Sequence, residues 1–195
     1  MILSENELNS QNLEEFEIFL NIYDKLNAKY IIEIGSLYGW SLQHFIHYGS
    51  DDSVVVSIDL PVRDFIGATD FRVTTQESNW KNFWPTWAKN KNSKLFIIPQ
   101  QSSLNESLQS TTEIFGDNLV DFLFIDGDHR YNAIKTDFNM YSPLVRKGGM
   151  VAFHDIGENE EGGGHKFWNE IKNNYKHLEI LKDDKREKGI GVLYV

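Results

Sequence analysis

The sequence contains no cysteine. It therefore holds neither a disulfide framework nor a thiolate metal centre, and no cysteine nucleophile carries its chemistry. It also lacks any run of about 18 apolar residues, the length a membrane-spanning helix needs. Its first residues, MILSENELNS, do not place a positively charged segment before an apolar one, as a secretory leader does. Positive charge is scarce: 19 Lys and Arg stand against 29 Asp and Glu, a net charge of −10. Nucleic-acid affinity comes largely from basic side chains on phosphates. A polyanionic partner is thus disfavoured, even though Lys185, Arg186 and Lys188 cluster late in the chain. Low-complexity tracts and the G-x-G-x-x-G fingerprint of dinucleotide-binding turns are missing too. The expectation is a soluble, cytoplasmic protein with no nucleic-acid or membrane partner, acting on a small molecule.

With 41% hydrophobic residues, a chain of 195 buries a sizeable core unaided, and residues 1–195 read as one domain. The stretch Val120 to Ile156 organises it. Phe122 to Ile125 is a short, branched and aromatic run, as a strand buried on both faces should be. It stops at Asp126. Gly127, Asp128 and His129 are too polar for core, and Tyr131, Ile134, Phe138 and Tyr141 then recur at helical spacing. Pro143 and a Lys147-Gly148-Gly149 turn end that helix, and Met150 to Phe153 form a second buried strand halting on His154 and Asp155. A strand–helix–strand crossover in a parallel sheet brings both strands' carboxyl ends to one edge, where open α/β sheets bind ligands. Asp126, Asp128, His129, His154 and Asp155 should therefore converge. Acids placed there are costly unless they hold a metal, bind a cofactor or move a proton.

Before this unit, residues 1–28 read as covering helices, with Ser4 and Glu7 as a capping box and an apolar stripe to Leu26. Tyr30 to Ile34 is a β-branched strand followed by an E-x-G-x-x-x-G turn, Glu33 to Gly39, and by a helix to about Tyr48. Such a turn either lets a ligand approach the backbone and helix N-terminus or serves only as a tight connection. His44 and His47 share a face of that helix, as a metal pair or as ordinary polar positions. A second buried strand, Val54 to Ile58, ends at Asp59, about 20 positions past the turn, where a carboxylate holds a ribose diol. Asp59 alternatively starts the turn before Pro61. Trp80, Trp84 and Trp87 are either core or an aromatic wall for substrate or a second subunit, and exposure of these rings would indicate a homodimer. A third strand, Leu95 to Ile98, leads to Gln100, Gln101, Ser102 and Ser103. Ser102 is placed to meet a purine edge and Ser103 to cap the next helix. Gly157 to Lys166, glycine-rich and acidic, is a mobile lid or a plain solvated loop. Leu178 to Leu181 and Gly189 to Val195 form a terminal hairpin at the sheet's edge.

The series of strand, glycine turn, helix, strand ending in Asp, then IDGDHRY and GGMVAFHD, resembles the class I S-adenosylmethionine-dependent methyltransferases. Within them it is similar to the small bacterial branch related to antibiotic and sugar O-methyltransferases and cephalosporin hydroxylase-like proteins. The resemblance covers about Tyr30 to Val195. It implies an α/β fold, a doubly wound and mostly parallel seven-stranded sheet with an antiparallel C-terminal hairpin. Glu33, Gly35, Ser36, Gly39 and Ser41 would then serve the methionine end of S-adenosylmethionine, with Asp59 on its ribose, Ser102 on its adenine, and Asp126 also facing the cofactor. Metal-using relatives bind Mg²⁺ through three carboxylates at these strand ends. The matching positions here are Asp126, His154 and Asp155, and a mixed N/O set accepts Mg²⁺, Mn²⁺, Fe²⁺ or Zn²⁺.

The chemistry so implied is methylation of a hydroxyl on a sugar or secondary metabolite. His129, Asp128 or His154 would take the proton, helped by a divalent metal if one is bound. Two other readings stand beside it: a metal-dependent hydroxylase using His129, His154 and a carboxylate as an iron triad, and a non-catalytic cofactor-binding module.

Overall fold

The computed structural model describes residues 12–37, 39–60, 92–158, 162–182 and 188–195. The capping box at Ser4, the three tryptophans between Pro61 and Lys91, and Lys185 and Arg186 lie outside them.

Seven strands form one sheet: β1 (Tyr30–Ile34), β2 (Val54–Ile58), β3 (Lys94–Ile98), β4 (Val120–Ile125), β5 (Val145–His154), β6 (Lys176–Ile180) and β7 (Ile190–Tyr194), in the order β3-β2-β1-β4-β5-β7-β6. The first five run parallel, and β7 is antiparallel to both β5 and β6. The terminal hairpin exists as expected, but its second strand is inserted between β5 and β6, so of the two only β6 lies at an edge of the sheet.

Alternation along the strands explains the two layers. Ile32, Ile34, Val56, Leu123, Ile125, Val151 and Phe153 point to one face, where Ile134 and Phe138 of α4 (Tyr131–Tyr141) and Phe167 and Trp168 of α5 (Gly164–Ile171) cover them. Ile31, Val55, Phe122, Phe124 and Ala152 point to the other, beneath Phe16, Phe19 and Tyr23 of α1 (Leu13–Tyr23) and Phe45 of α2 (Trp40–Tyr48). α3 (Asn105–Phe115) joins β3 to β4 and sends Phe115 into the first layer. β1, β2, β4 and the end of β5 are thus buried on both sides, which is why they read as continuous apolar runs and not as alternating ones, while β3, at the sheet's edge, leaves Lys94, Phe96 and Ile97 exposed.

Two local expectations are corrected. Lys147-Gly148-Gly149 is no turn between elements: α4 ends at Tyr141, a single 3-10 turn follows over Ser142–Leu144, and β5 runs from Val145 with a register shift opposite Val120–Phe122. Gly148 takes φ +79° within that bulge, a conformation that punctuates a strand without ending it. Nor does Ser103 cap a helix. Leu104 occupies the N-cap of α3 without a side-chain bond, while Ser107 Oγ donates to the Gln101 carbonyl at 2.8 Å. α1 starts at a true cap, Asn12, whose side chain accepts from the amides of Glu14 and Glu15. Glu15, itself buried, accepts from the amides of Lys182 and Gly189 and so ties the covering helix to both sides of the β6–β7 connection.

Candidate functional site

The parallel strands end along one rim, and a cavity of about 920 Å³ opens there. It is bordered by the turn after β1, Asp59 after β2, residues 100–103 after β3, residues 126–133 after β4, and His154 and Asp155 at the end of β5. Its floor is set by close packing between β1 and β4. Gly35 has φ +83°, and a Cβ there would lie 2.2 Å from the Asp126 carbonyl oxygen, so only glycine fits the turn.

Behind this turn sits Glu33, fully buried, with Ser36 Oγ donating to one carboxylate oxygen and Ser41 Oγ to the other at 2.5 Å. Ser36 Oγ also lies 2.7 Å from Ser57 Oγ. Burial, reinforced by the nearby charges of Asp126 and Asp59, outweighs the two hydroxyl donors and pushes Glu33 up to about 8. Ser36 and Ser41 line the cavity, whereas Glu33 reaches it only through them. Gly39, at φ +75°, is the N-cap of α2 and lies outside the lining. On the same helix His44 gives its Nδ1 to the Trp40 carbonyl at 2.7 Å and packs on Trp40 and Phe16, while His47 is exposed.

Asp59 braces as well as lines. Its Oδ2 accepts from the amides of Ser36 at 3.0 Å and Leu37 at 2.7 Å, and its Oδ1 from Leu60. These bonds hold Leu37 at φ +44°, uncommon for a branched side chain. At the β3 end, Ser102 Oγ donates to Asp137 Oδ1 at 2.6 Å, and the Tyr141 hydroxyl donates to the Ser102 carbonyl at 2.7 Å. Asp137 is a residue the sequence reading passed over. It is 2% exposed yet borders the cavity, and burial pushes it up to about 6.

At the other end, His154 Nδ1 stands 2.9 Å from Asp155 Oδ1 and 3.3 Å from Asp126 Oδ1, and Asp155 Oδ2 stands 3.2 Å from His129 Nε2. Burial disfavours the charged imidazole, but the carboxylates of Asp126 and Asp155 prevail and raise His154 to about 9. Burial likewise opposes ionisation of Asp155, and His154 and His129 hold it below the usual range nonetheless. Asp155 itself sits at φ +57°, the kind of backbone cost retained where a side chain must be aimed. Ligand atoms of Asp126, His154 and Asp155 all lie within 4.8 Å of one another, and His129 is outside that group. An iron triad of two histidines and a carboxylate is therefore not assembled among the described residues. Asp128 faces differently: it accepts from the Arg130 amide at 2.9 Å and pairs with the Arg130 guanidinium, which holds its carboxyl below the ordinary value. The described part of the expected lid packs under this loop. The Gly163 amide donates to the His129 carbonyl at 2.5 Å, and a Cβ on Gly163 would lie 1.9 Å from the Tyr131 nitrogen.

Comparison with known proteins accords with this arrangement. The chain spans about half the length, 56%, of a curated relative, protein R132 of Acanthamoeba polyphaga mimivirus, to which it is 29% identical over 146 residues (71% of this chain). It covers 8% of a second, protein y4gI of Sinorhizobium fredii, at 32% identity over 69 residues, 35% of this chain. Among solved structures, the O-methyltransferase of Bacillus cereus in complex with SAH superposes with a TM-score of 0.62 at 17% identity, covering 95% of this chain and 82% of that one. TomG of Streptomyces achromogenes, an O-methyltransferase involved in tomaymycin synthesis and solved with SAM, gives 0.64 at 14%, with 95% and 81% covered. These likenesses establish the fold. Residues 32–156, more than half of the sequence and the whole span from the glycine turn to the end of the β5 cluster, match the family described as "Methyltransferase domain", and the chain belongs to that family.

Proposed function

We propose that this protein transfers the methyl group of S-adenosylmethionine to a hydroxyl of a small molecule, a sugar or a secondary metabolite. The observation that carries the reading is the order of groups lining the cavity along the strand ends: the Asp59 carboxylate over β2, and an acid–imidazole cluster over β4 and β5. A nucleoside whose ribose hydroxyls meet Asp59 points its sulfonium over the β1–β4 floor, toward that cluster. The donor, when bound, supplies an electrophilic methyl carbon; the chain must supply alignment and a deprotonated acceptor oxygen.

Ser36, Ser41 and the Gly35 turn frame the methionine end, and Glu33 fixes the two serines from behind. His129 is the group placed to take the acceptor's proton. Its Nε2 is given to Asp155, which leaves Nδ1 to accept. Asp128, held ionised by Arg130, orders the loop that carries His129. Asp126, His154 and Asp155 fit a divalent cation, offering one nitrogen and two carboxylates from a buried rim. An ion held there would lower the acceptor's pKa and orient a vicinal diol. In its absence the same carboxylates keep His154 cationic, an electrostatic anchor for a developing alkoxide.

The family match favours this reading over the hydroxylase and the non-catalytic module. The test is formation of S-adenosylhomocysteine from S-adenosylmethionine over a panel of sugars and phenols, with and without chelator and with His129→Gln. Turnover lost on chelation and restored by Mg²⁺ or Mn²⁺ assigns the metal, and turnover indifferent to chelation leaves His129 as sole base. A protein that neither binds S-adenosylmethionine nor produces S-adenosylhomocysteine removes the proposal.

A further inference from the structure

One buried acid at the cavity has no part in the chemistry above. Asp137 lies on α4, opposite the end of β3, and Ser102 Oγ donates to its Oδ1. No other hydrogen bond to Asp137 occurs among the described residues, so Oδ2 is left to an occupant of the cavity that the residue borders. A buried carboxylate oxygen without a donor is costly, and nothing in the packing of α4 requires one, since Ile134, Phe138 and Tyr141 already supply its apolar face.

The order of the strands says which part of a ligand would lie there. The acid–imidazole cluster sits over β4 and β5, Asp59 over β2, and Ser102 over β3 at the far end of the same rim. A nucleoside with its ribose on Asp59 and its reacting end toward β4 must send its base to the β3 end, against Ser102 and Asp137. Ser102 Oγ, having given its proton to Asp137, is left as an acceptor, so this corner presents acceptors to the base. Adenine has a donor to meet them in its exocyclic 6-amino group; a 6-oxo purine presents an acceptor at that position.

We propose that Asp137, held by Ser102, reads the 6-amino group of the cofactor's adenine and thereby selects an adenosyl over a 6-oxopurine donor. The proposal rests on the methyl-donor reading above and adds the residue that discriminates the base. Its range follows from the loss of one hydrogen bond to a charged group, about 10- to 100-fold in affinity.

The experiment is calorimetric titration, at pH 8, of the full chain with S-adenosylhomocysteine and with S-inosylhomocysteine, whose 6-amino group is replaced by oxygen. The wild type should prefer the adenosyl ligand by at least about tenfold. Asp137→Asn, which keeps the shape and offers an amide N–H₂, should weaken adenosyl binding by about tenfold or more and bring the two affinities to within about threefold of each other. A third ligand, the 6-dimethylamino analogue, tests the same contact in the unaltered protein and should bind as poorly as the inosyl one. Equal wild-type affinity for adenosyl and inosyl ligands would overturn the proposal, as would an Asp137→Asn protein with undiminished preference. Either result, with S-adenosylhomocysteine still bound tightly, leaves the methyl-donor reading standing. Failure of the wild type to bind either ligand overturns both.

Discussion

β4 carries an aspartate at each end, and the two have opposite fates. Asp121, at the amino end, accepts from the amides of Lys29 and Tyr30, both at 2.8 Å, and from Arg146 Nε at 2.6 Å. All of these donors come from the chain's own framework, the start of β1 and the bulge of β5. Asp126, five residues on, faces an imidazole shared with a second acid and the open cavity. The same side chain is therefore a structural clasp at one rim and part of the cavity's acid–imidazole cluster at the other. What separates them is what the fold places around each: two backbone amides and a guanidinium at one rim, an imidazole and a second acid at the other.

That comparison breaks most visibly in catalysis. Asp126→Ala should lower methyl transfer by at least about 100-fold, the scale of a lost catalytic group, with the thermal midpoint nearly unchanged; a variant that simply melts would put Asp126 in the same class as Asp121. His129→Gln should reduce kcat by about 100- to 10,000-fold and leave S-adenosylhomocysteine affinity intact. Asp121→Ala should do the reverse, costing about 1–3 kcal/mol in denaturant unfolding because two half-buried amides and a guanidinium lose their acceptor, while activity per folded molecule is kept.

The smallest effect sharpens the contrast through pH. Glu33 ionises near 4.5 when unfolded and holds its proton to about 8 in the fold. Between those values the native state binds more protons, so this contribution to stability is full below about pH 4.5 and is lost as pH rises through 8. The slope is at most about 1.4 kcal/mol per pH unit. Glu33→Gln should flatten the stability curve over that range, as measured by urea unfolding at pH 5, 6.5 and 8; an unchanged curve would mean Glu33 is ionised in the fold.

Much of this was legible from residues alone. Strands β1, β2 and β4 stand where branched apolar runs placed them, because burial on both faces leaves no alternation to misread. The convergence of Asp126, His129, His154 and Asp155 followed from one topological rule about crossovers. The rest was hidden for physical reasons. Asp137 sits beside Phe138 in a helix whose spacing Ile134, Phe138 and Tyr141 already explain, so no pattern in the sequence marked the acid out. The run Lys147-Gly148-Gly149 carries turn residues, and only the pairing of β5 with β4 shows that a bulge uses them. The glycines after Asn159 suggested mobility, whereas Gly163 is glycine because the Tyr131 backbone leaves no room for a Cβ. Close approach and flexibility select the same residue, and sequence alone does not separate them.

The account depends on a nucleoside lying along the strand ends with its ribose on Asp59. The most direct measurement is calorimetric titration of S-adenosylhomocysteine into the wild type and Asp59→Ala, with circular dichroism on both. The wild type should bind at a single site, and Asp59→Ala should bind at least about tenfold more weakly while keeping its secondary structure. Equal affinity in the two proteins, or none in the wild type, would contradict it.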